Sequence, residues 1–359
     1  MKDITIRRAC ATAFCVAAAT LATGAMAKEQ QYHVEALGAT SDTGVQVGGI
    51  DRRGWVAGAA NGHAAIFQQG AATRDLGTLG GASSVAYDAN DQGVVVGGAA
   101  LAGTGPSAGT HAFSWHKGTM TDLGALPRTP GQGSLAYALA VNATGQATGY
   151  SAVDAWNSHA FLASGGTLTD IGGLPNAVSS FGQAINDAGH IAGYSVVGTT
   201  GSTAHAFLYR DGAMIDLQPA SDPTASSYGS AINVNDEIAG TASHTGFQPL
   251  RSTAFVWSNG VMTDLGTVAP GVSSISSASA INDAGVVVGT SANDAANKTF
   301  VAFVVRHGVM HDLNAELDAA SVAAGWHLTS ATGVNAKGEI CGLGTLNGVT
   351  RAFVATPLH

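Results

Sequence analysis

The chain has 359 residues, 11% of them charged and 45% apolar, with a formal charge of −9. That balance excludes a nucleic-acid footprint, which needs clustered Lys and Arg. Beyond the first residues, no stretch is long and apolar enough to span a bilayer as a helix.

Residues 1–27 read as a secretory signal peptide. "MKDITIRR" is a basic n-region, "ACATAFCVAAATLATG" an apolar h-region, and Ala25-Met26-Ala27 a small-x-small cleavage site. The mature protein is then expected to start at Lys28, with a periplasmic or secreted location. Losing Lys2, Arg7, Arg8 and Asp3 takes 15 basic and 24 acidic residues to 12 and 23, a charge of −11. Cys10 and Cys15 leave with the signal, so Cys341 stands alone and no internal disulfide can form. The core must hold the fold unaided, and residues 28–359 are read as one domain.

Tyr32–Gly38 reads as a single strand with no partner before it. From there the chain repeats. "HAFLYRDGAMIDL" (His205–Leu217) has the form of a hairpin, an apolar run on each side of Asp211-Gly212. That turn wants positive φ at both central residues. The phrase recurs at His111–Leu123, His159–Ile171, Thr253–Leu265 and Val301–Leu313. Its phenylalanine falls at Phe67, Phe113, Phe161, Phe207, Phe255, Phe303 and Phe353, in steps of 46 to 50 residues. An aspartate follows eight or nine residues later, from Asp75 to Asp312.

Between the hairpins lies a second motif, an apolar residue, Asn or Asp, two more residues and a turn glycine. "INDAG" (Ile185–Gly189) is typical, and Asp236 once replaces the glycine. Each unit then has four short strands, the period and composition of a β-propeller blade. Seven units give a seven-bladed all-β propeller. The last unit lacks a fourth strand and the first mature segment is a spare one, so pairing Tyr32–Gly38 with Arg351–Pro357 closes the ring. A β-solenoid, the rival architecture, has no need of such matching ends. Two and four residues before each Asn or Asp the side chains are small almost throughout, Val47 and Asp88 excepted, which puts that strand innermost.

His63, His111, His159 and His205 open successive third strands, one per blade and far from the axis, so they cannot converge on a metal. They are expected to be half-buried and bonded to the neighbouring blade, and the repeated Asp to be a buried carboxylate. The inner-turn Asn is read as an Asx-type turn residue. A ring of such residues at the channel mouth could alternatively hold a cation. Neither cofactor nor metal is expected, because His-Glu-x-x-His, Cys pairs and Gly-x-Ser-x-Gly are all absent from the sequence. The Asn142 and Asn297 sequons are read as chance.

The ordered pattern His-Ala-Phe, Gly, Asp-Leu-Gly, Ile-Asn, Gly, Val-Val-Gly resembles the HAF family of extracellular repeats in bacterial proteins. The resemblance runs from about Tyr32 to Phe353 and weakens in the first unit, where Ala36 replaces the Asp, and in the seventh. It implies export and a propeller-like architecture, and it supplies no catalytic residues.

Two functional classes follow. One is a non-enzymatic binding or scaffold module, acting as a monomer on an unknown glycan, small molecule or protein. The other is a propeller hydrolase or lyase acting on polysaccharide. Turns one-to-two and three-to-four are tight and share one face. Connections two-to-three and four-to-one are long and share the other, where ligands are expected. The candidate anchors there are Trp156, Phe247, Arg251 and Trp326.

Overall fold

The computed structural model describes residues 30–103, 109–128, 133–198, 203–218, 224–244, 251–269, 275–294 and 299–358. The signal segment, Phe247 and the Asn297 sequon lie outside the described residues, and of Arg251 only the backbone is described.

Seven four-stranded antiparallel sheets form seven blades in a ring. Blade four shows the pattern: Ala177–Ile185, Ile191–Val197, Thr203–Arg210 and Ala213–Asp216, each strand paired with the next. The first strands are innermost, as their small residues require. Blade seven (Trp326–Val334, Ile340–Leu346, Val349–Leu358) takes its outer strand from the other end of the chain, Gln31–Leu37. The closing register runs from Gln31 opposite Leu358 to Leu37 opposite Ala352. Tyr32, Val34 and Leu37 are buried there, so closure is an apolar contact as well as a ladder.

Each blade packs on the next through the repeated phenylalanine, which is fully buried in all seven. A glycine on strand two lies opposite it, as Gly193 does to Phe207. A Cβ at Gly193 would stand 2.0 Å from the Phe181 carbonyl oxygen and 2.8 Å from the Phe207 ring. Only glycine lets the ring lie flat there. Blade one departs from the expected marker. Ala65 takes the position opposite Gly58, and Phe67, two residues on, reaches the same space.

In blades two to six the three-to-four hairpins turn as expected, as with Asp211 and Gly212 at φ 53° and 79°, whereas in blade one residues 68–73 make a longer connection. Asp236 holds φ 59° where its siblings have glycine. The opposite face is uneven. In blades one and seven the two-to-three connection is only a two-residue turn, Asn61-Gly62 and Asn347-Gly348. The stretch read as a long loop before blade seven holds a 3-10 turn, Leu313–Glu316, and a short helix, Ala319–Ala323.

Candidate ligand-binding face

On the tight-turn face, each inner-turn Asn spends its side chain on the frame. Asn186 Oδ1 accepts the amides of Ala188 and His190, and its Nδ2 donates 3.0 Å to the Asn233 carbonyl in the next blade. Asn90, Asn142, Asn233, Asn282 and Asn335 repeat this, with inter-blade distances of 2.8–3.3 Å. Asp51 has no amide to donate. Its carboxylate holds the Arg53 guanidinium at 2.6 Å, and Arg53 supplies the missing bond to the Asn90 carbonyl at 3.3 Å. The ring is thereby closed seven times. Asp91, Asp187 and Asp283 add a further tie, each accepting the amide of Arg52, Ala143 or Val234 in the preceding blade. The Oδ1 atoms of Asp91, Asp187 and Asp283 are thus committed to backbone amides of the preceding blade. Asn142 is buried and bonded, so its sequon is not a surface site.

The repeated histidine is also architectural, but its partner differs from the expected one. His63, His111, His159 and His205 each place Nδ1 2.8–2.9 Å from the aspartate of their own blade, Asp75, Asp122, Asp170 and Asp216. Adjacent strands three and four bring the two together. The same carboxylates accept the amide two residues on, as Asp170 does from Gly172 at 2.7 Å. They are exposed at the rim rather than buried, with 42–64% of the side chain open. At Asp75, burial raises the carboxyl, but bonds from Gly77 and His63 outweigh it and hold it below the usual range.

The axis encloses a cavity of about 380 Å³. Asp88 is the acidic exception in its ring of small residues, and Gly49 beside it leaves it room, since a Cβ there would lie 2.2 Å from its Oδ1. Asp88 Oδ2 accepts the Val141 amide at 3.0 Å. Burial pushes its carboxyl up to about 7 against bonds from the Val141 and Ala89 amides, and Asp51 adds repulsion. Cys341 is buried, its thiol pushed up to about 12 by burial, and therefore unreactive. Among the described residues no group of three or more His, Cys, Asp or Glu could hold a metal ion.

The long-loop half of the inner strands breaks the sevenfold pattern. Five residues before each Asn or Asp, strand one meets a strand-two partner. Around the ring these pairs are Gln46 with Ala59, Val85 with Gly98 and Tyr137 with Tyr150. Phe181 with Tyr194, Tyr228 with Thr241, Ser277 with Thr290 and Ser330 with Leu343 complete it. Blades three to five thus carry rings that touch across the blade boundaries. Tyr87, Tyr137, Tyr150, Phe181, Tyr194 and Tyr228 form one arc with centroid spacings of 4.9–6.2 Å. The rings are half-buried, and Tyr228 at the end is 40% exposed. Burial raises the phenols of Tyr87 and Tyr194 and takes Tyr150 to about 12, helped by its tyrosine neighbours.

At the other end of the arc, small residues open a pocket of about 260 Å³ between blades one and two. Gly44, Ala59, Gly62, Gly98 and Ala100 give it room, and the Tyr137 ring walls it. The low Asn61-Gly62 turn leaves it open above. Tyr137 leans onto Gly98, where a Cβ would lie 2.2 Å from the ring.

Of the anchors read from sequence, Trp156 is displayed most fully, 92% exposed. Its loop leaves the strand that bears Tyr150 and is held from below. Asp154 Oδ1 accepts the amides of Trp156 and Asn157, and Arg128 donates to the Asp154 carbonyl. Trp326 is elsewhere. It opens strand one of blade seven, is 9% exposed and packs edge-on against Phe353. It is a core residue, not a surface anchor. Arg251 opens a strand opposite His244. The tyrosine arc went unread in the sequence, although Tyr137, Phe181 and Tyr228 interrupt an otherwise regular spacing, and "GYS" recurs on strand two.

The chain matches no protein-family model and no curated protein. Among solved structures it is similar to the extracellular domain assigned to a one-component system of B. thetaiotaomicron, with TM-score 0.50 and 10% identity over 91% of this chain. A puromycin-hydrolyzing peptidase of Mycobacterium tuberculosis gives 0.42 and 14% over 80% of this chain. The Trypanosoma rangeli sialidase gives 0.39 and 10%, again over 80%. The chain spans 40%, 46% and 55% of those chains respectively. At 10% identity the first likeness is one of fold. No helix among the described residues is long and apolar enough to cross a membrane.

Proposed function

We propose that this chain is an exported HAF-type propeller that binds its ligand on the long-loop face without transforming it. The observation that carries the reading is the arc from Tyr137 to Tyr228, an aromatic break in a frame that otherwise repeats. The tight-turn face commits its Asn and Asp oxygens to the ring, whereas the long-loop face offers ring faces and an open pocket. Among the described residues, that pocket is lined by no carboxylate, imidazole or thiol to serve as acid, base or nucleophile. The sequence of residues 1–27 supports export.

Screening purified protein 28–359 against glycans, metabolites and proteins tests this. A ligand weakened by Tyr194→Ala and Tyr228→Ala, and unaffected by Asp187→Ala or Asp211→Ala, supports the reading. The reverse pattern moves the site to the opposite face, and conversion of the ligand to product makes the protein an enzyme; either outcome overturns the proposal.

A further inference from the structure

We infer that the long-loop site takes a neutral glycan, one sugar ring in the pocket between blades one and two and the following rings along the tyrosine arc. This rests on the reading of the long-loop face given above and names the ligand class for it.

The lining decides the charge of the ligand. Among the described residues, the polar side chains lining the pocket are Gln46, Ser83, Ser84 and Thr110, all neutral, with the Ser84 hydroxyl spent on the Ala64 amide and the Gly77 carbonyl, and the one large wall is Tyr137. Without a cation, an anionic ligand finds no counter-charge, and without a carboxylate a cationic ligand finds none either. A purely apolar ligand would leave the amide and hydroxyl groups unpaired, which costs binding energy. A polyhydroxylated neutral ring suits both features. Its hydroxyls pair with Gln46, Ser83 and Thr110, and its C–H face lies on the phenol ring.

Size and shape decide the rest. At about 260 Å³ the pocket is at the small end of ligand sites, enough for one ring rather than a chain. From Tyr137 the arc then continues across two blade boundaries, from blade three to blade five, with four successive ring contacts. A single metabolite has no use for so long a platform; a chain of similar units does. Burial raises the phenols of Tyr87, Tyr150 and Tyr194, which keeps those three hydroxyls as donors. Trp156 stands over the same blade as Tyr137 and Tyr150, 92% exposed, where it can cover an added sugar.

The test is calorimetric titration with neutral gluco-, manno- and galacto-oligosaccharides of one to six units, with uronic-acid oligomers as charged controls. Affinity for at least one neutral series should rise with chain length and exceed that for the charged series. Ser83→Trp, an exposed position whose new ring fills the pocket, should weaken all lengths about tenfold. Tyr228→Ala should weaken only the longer oligomers, by about fivefold. Melting curves confirm that both variants fold. If no neutral oligosaccharide binds, or only charged ones do, the glycan assignment is overturned. The face reading still stands in that case where another ligand is weakened by these same two substitutions. If a glycan binds but responds only to Asp187→Ala, the assignment and the face reading both fall.

Discussion

Blades three to five and blades five to seven are built on one backbone, yet the same layer of the ring is written in two chemistries. Where blade three meets blade four, Tyr150 touches Phe181 at 5.1 Å; where four meets five, Tyr194 touches Tyr228 at 4.9 Å. One boundary further, the equivalent residues are Thr241 and Ser277, joined by a 2.6 Å hydrogen bond. The buried phenylalanines, the facing glycines and the Asn ring repeat on both sides of that change. The frame is therefore insulated from this layer. A side chain here can be swapped from ring to hydroxyl without disturbing the blade packing below it, so the layer is free to specialise.

The strongest way to break the comparison is to remove the frame from both halves at once. Deleting residues 30–38 takes away the outer strand of blade seven with Tyr32, Val34 and Leu37. Three buried side chains and an exposed ladder should cost roughly 5 kcal/mol or more. Chemical denaturation should show loss of the cooperative transition; an unchanged midpoint would refute ring closure. Next, Asn186→Ala in the aromatic half and Asn282→Ala in the polar half should each cost about 3 kcal/mol, since both strand buried amides and a carbonyl. Asn186 also donates to Asp236 Oδ1 at 2.9 Å, so only a difference well above the roughly 1 kcal/mol of that one bond would mean that the frame is not shared.

The double change Phe181→Ser with Tyr194→Thr writes the polar chemistry into the aromatic half. We expect about 2 kcal/mol of lost stability from the half-buried rings and loss of binding on that face. Thr241→Val, at the polar boundary, should cost only about 1 kcal/mol and leave binding intact.

Asp88 is sensitive to pH in a calculable direction. Its carboxyl lies at about 7 in the folded protein against an ordinary value of 3.8, so the native state holds the proton more tightly. Its contribution is full in acid and is lost as pH rises through 7. Asp88→Asn should therefore melt higher than the parent at pH 8, by at least about 1 kcal/mol of stability, and match it at pH 4. A variant less stable at pH 8 would contradict this. His159→Ala should have the smallest effect, below about 1 kcal/mol, because the His159–Asp170 pair is more than a third open to water. A larger loss in thermal melts would show that the pair is shielded.

Much of the frame was legible in the sequence because its parts are local and repeated seven times. Asn followed by a turn glycine, Asp-Gly between apolar runs, and small residues on the inner strand each have one physical reading. The spare strand at Tyr32–Gly38 announced its own partner. The partners of the histidines were not legible, because a strand sequence does not say whether a side chain reaches along its own sheet or across to the next. His159 could point to either, and only the register of Phe161 opposite Asp170 decides it. Trp326 misled for a related reason. It looked like a departure from the repeat within a loop, but the loop contains a short helix and the strand starts at the Trp itself. The arc was hidden because it is a property of neighbours: Tyr150 and Phe181 lie 31 positions apart in the chain and meet only when blades three and four are packed.

The closing register has a consequence for how the molecule can be displayed. Gln31 pairs with Leu358, and Gln30 Nε2 donates to the Leu358 carbonyl at 2.8 Å, so the two ends of the described chain leave the ring side by side. They leave from the side of the tight turns, since Leu37 and Ala352, at the far end of that pairing, lie toward the long loops. A tether joined to either end, or a short linker joining both, would anchor the propeller by its back. The tyrosine arc and the pocket would then face outward, unobstructed, toward whatever passes.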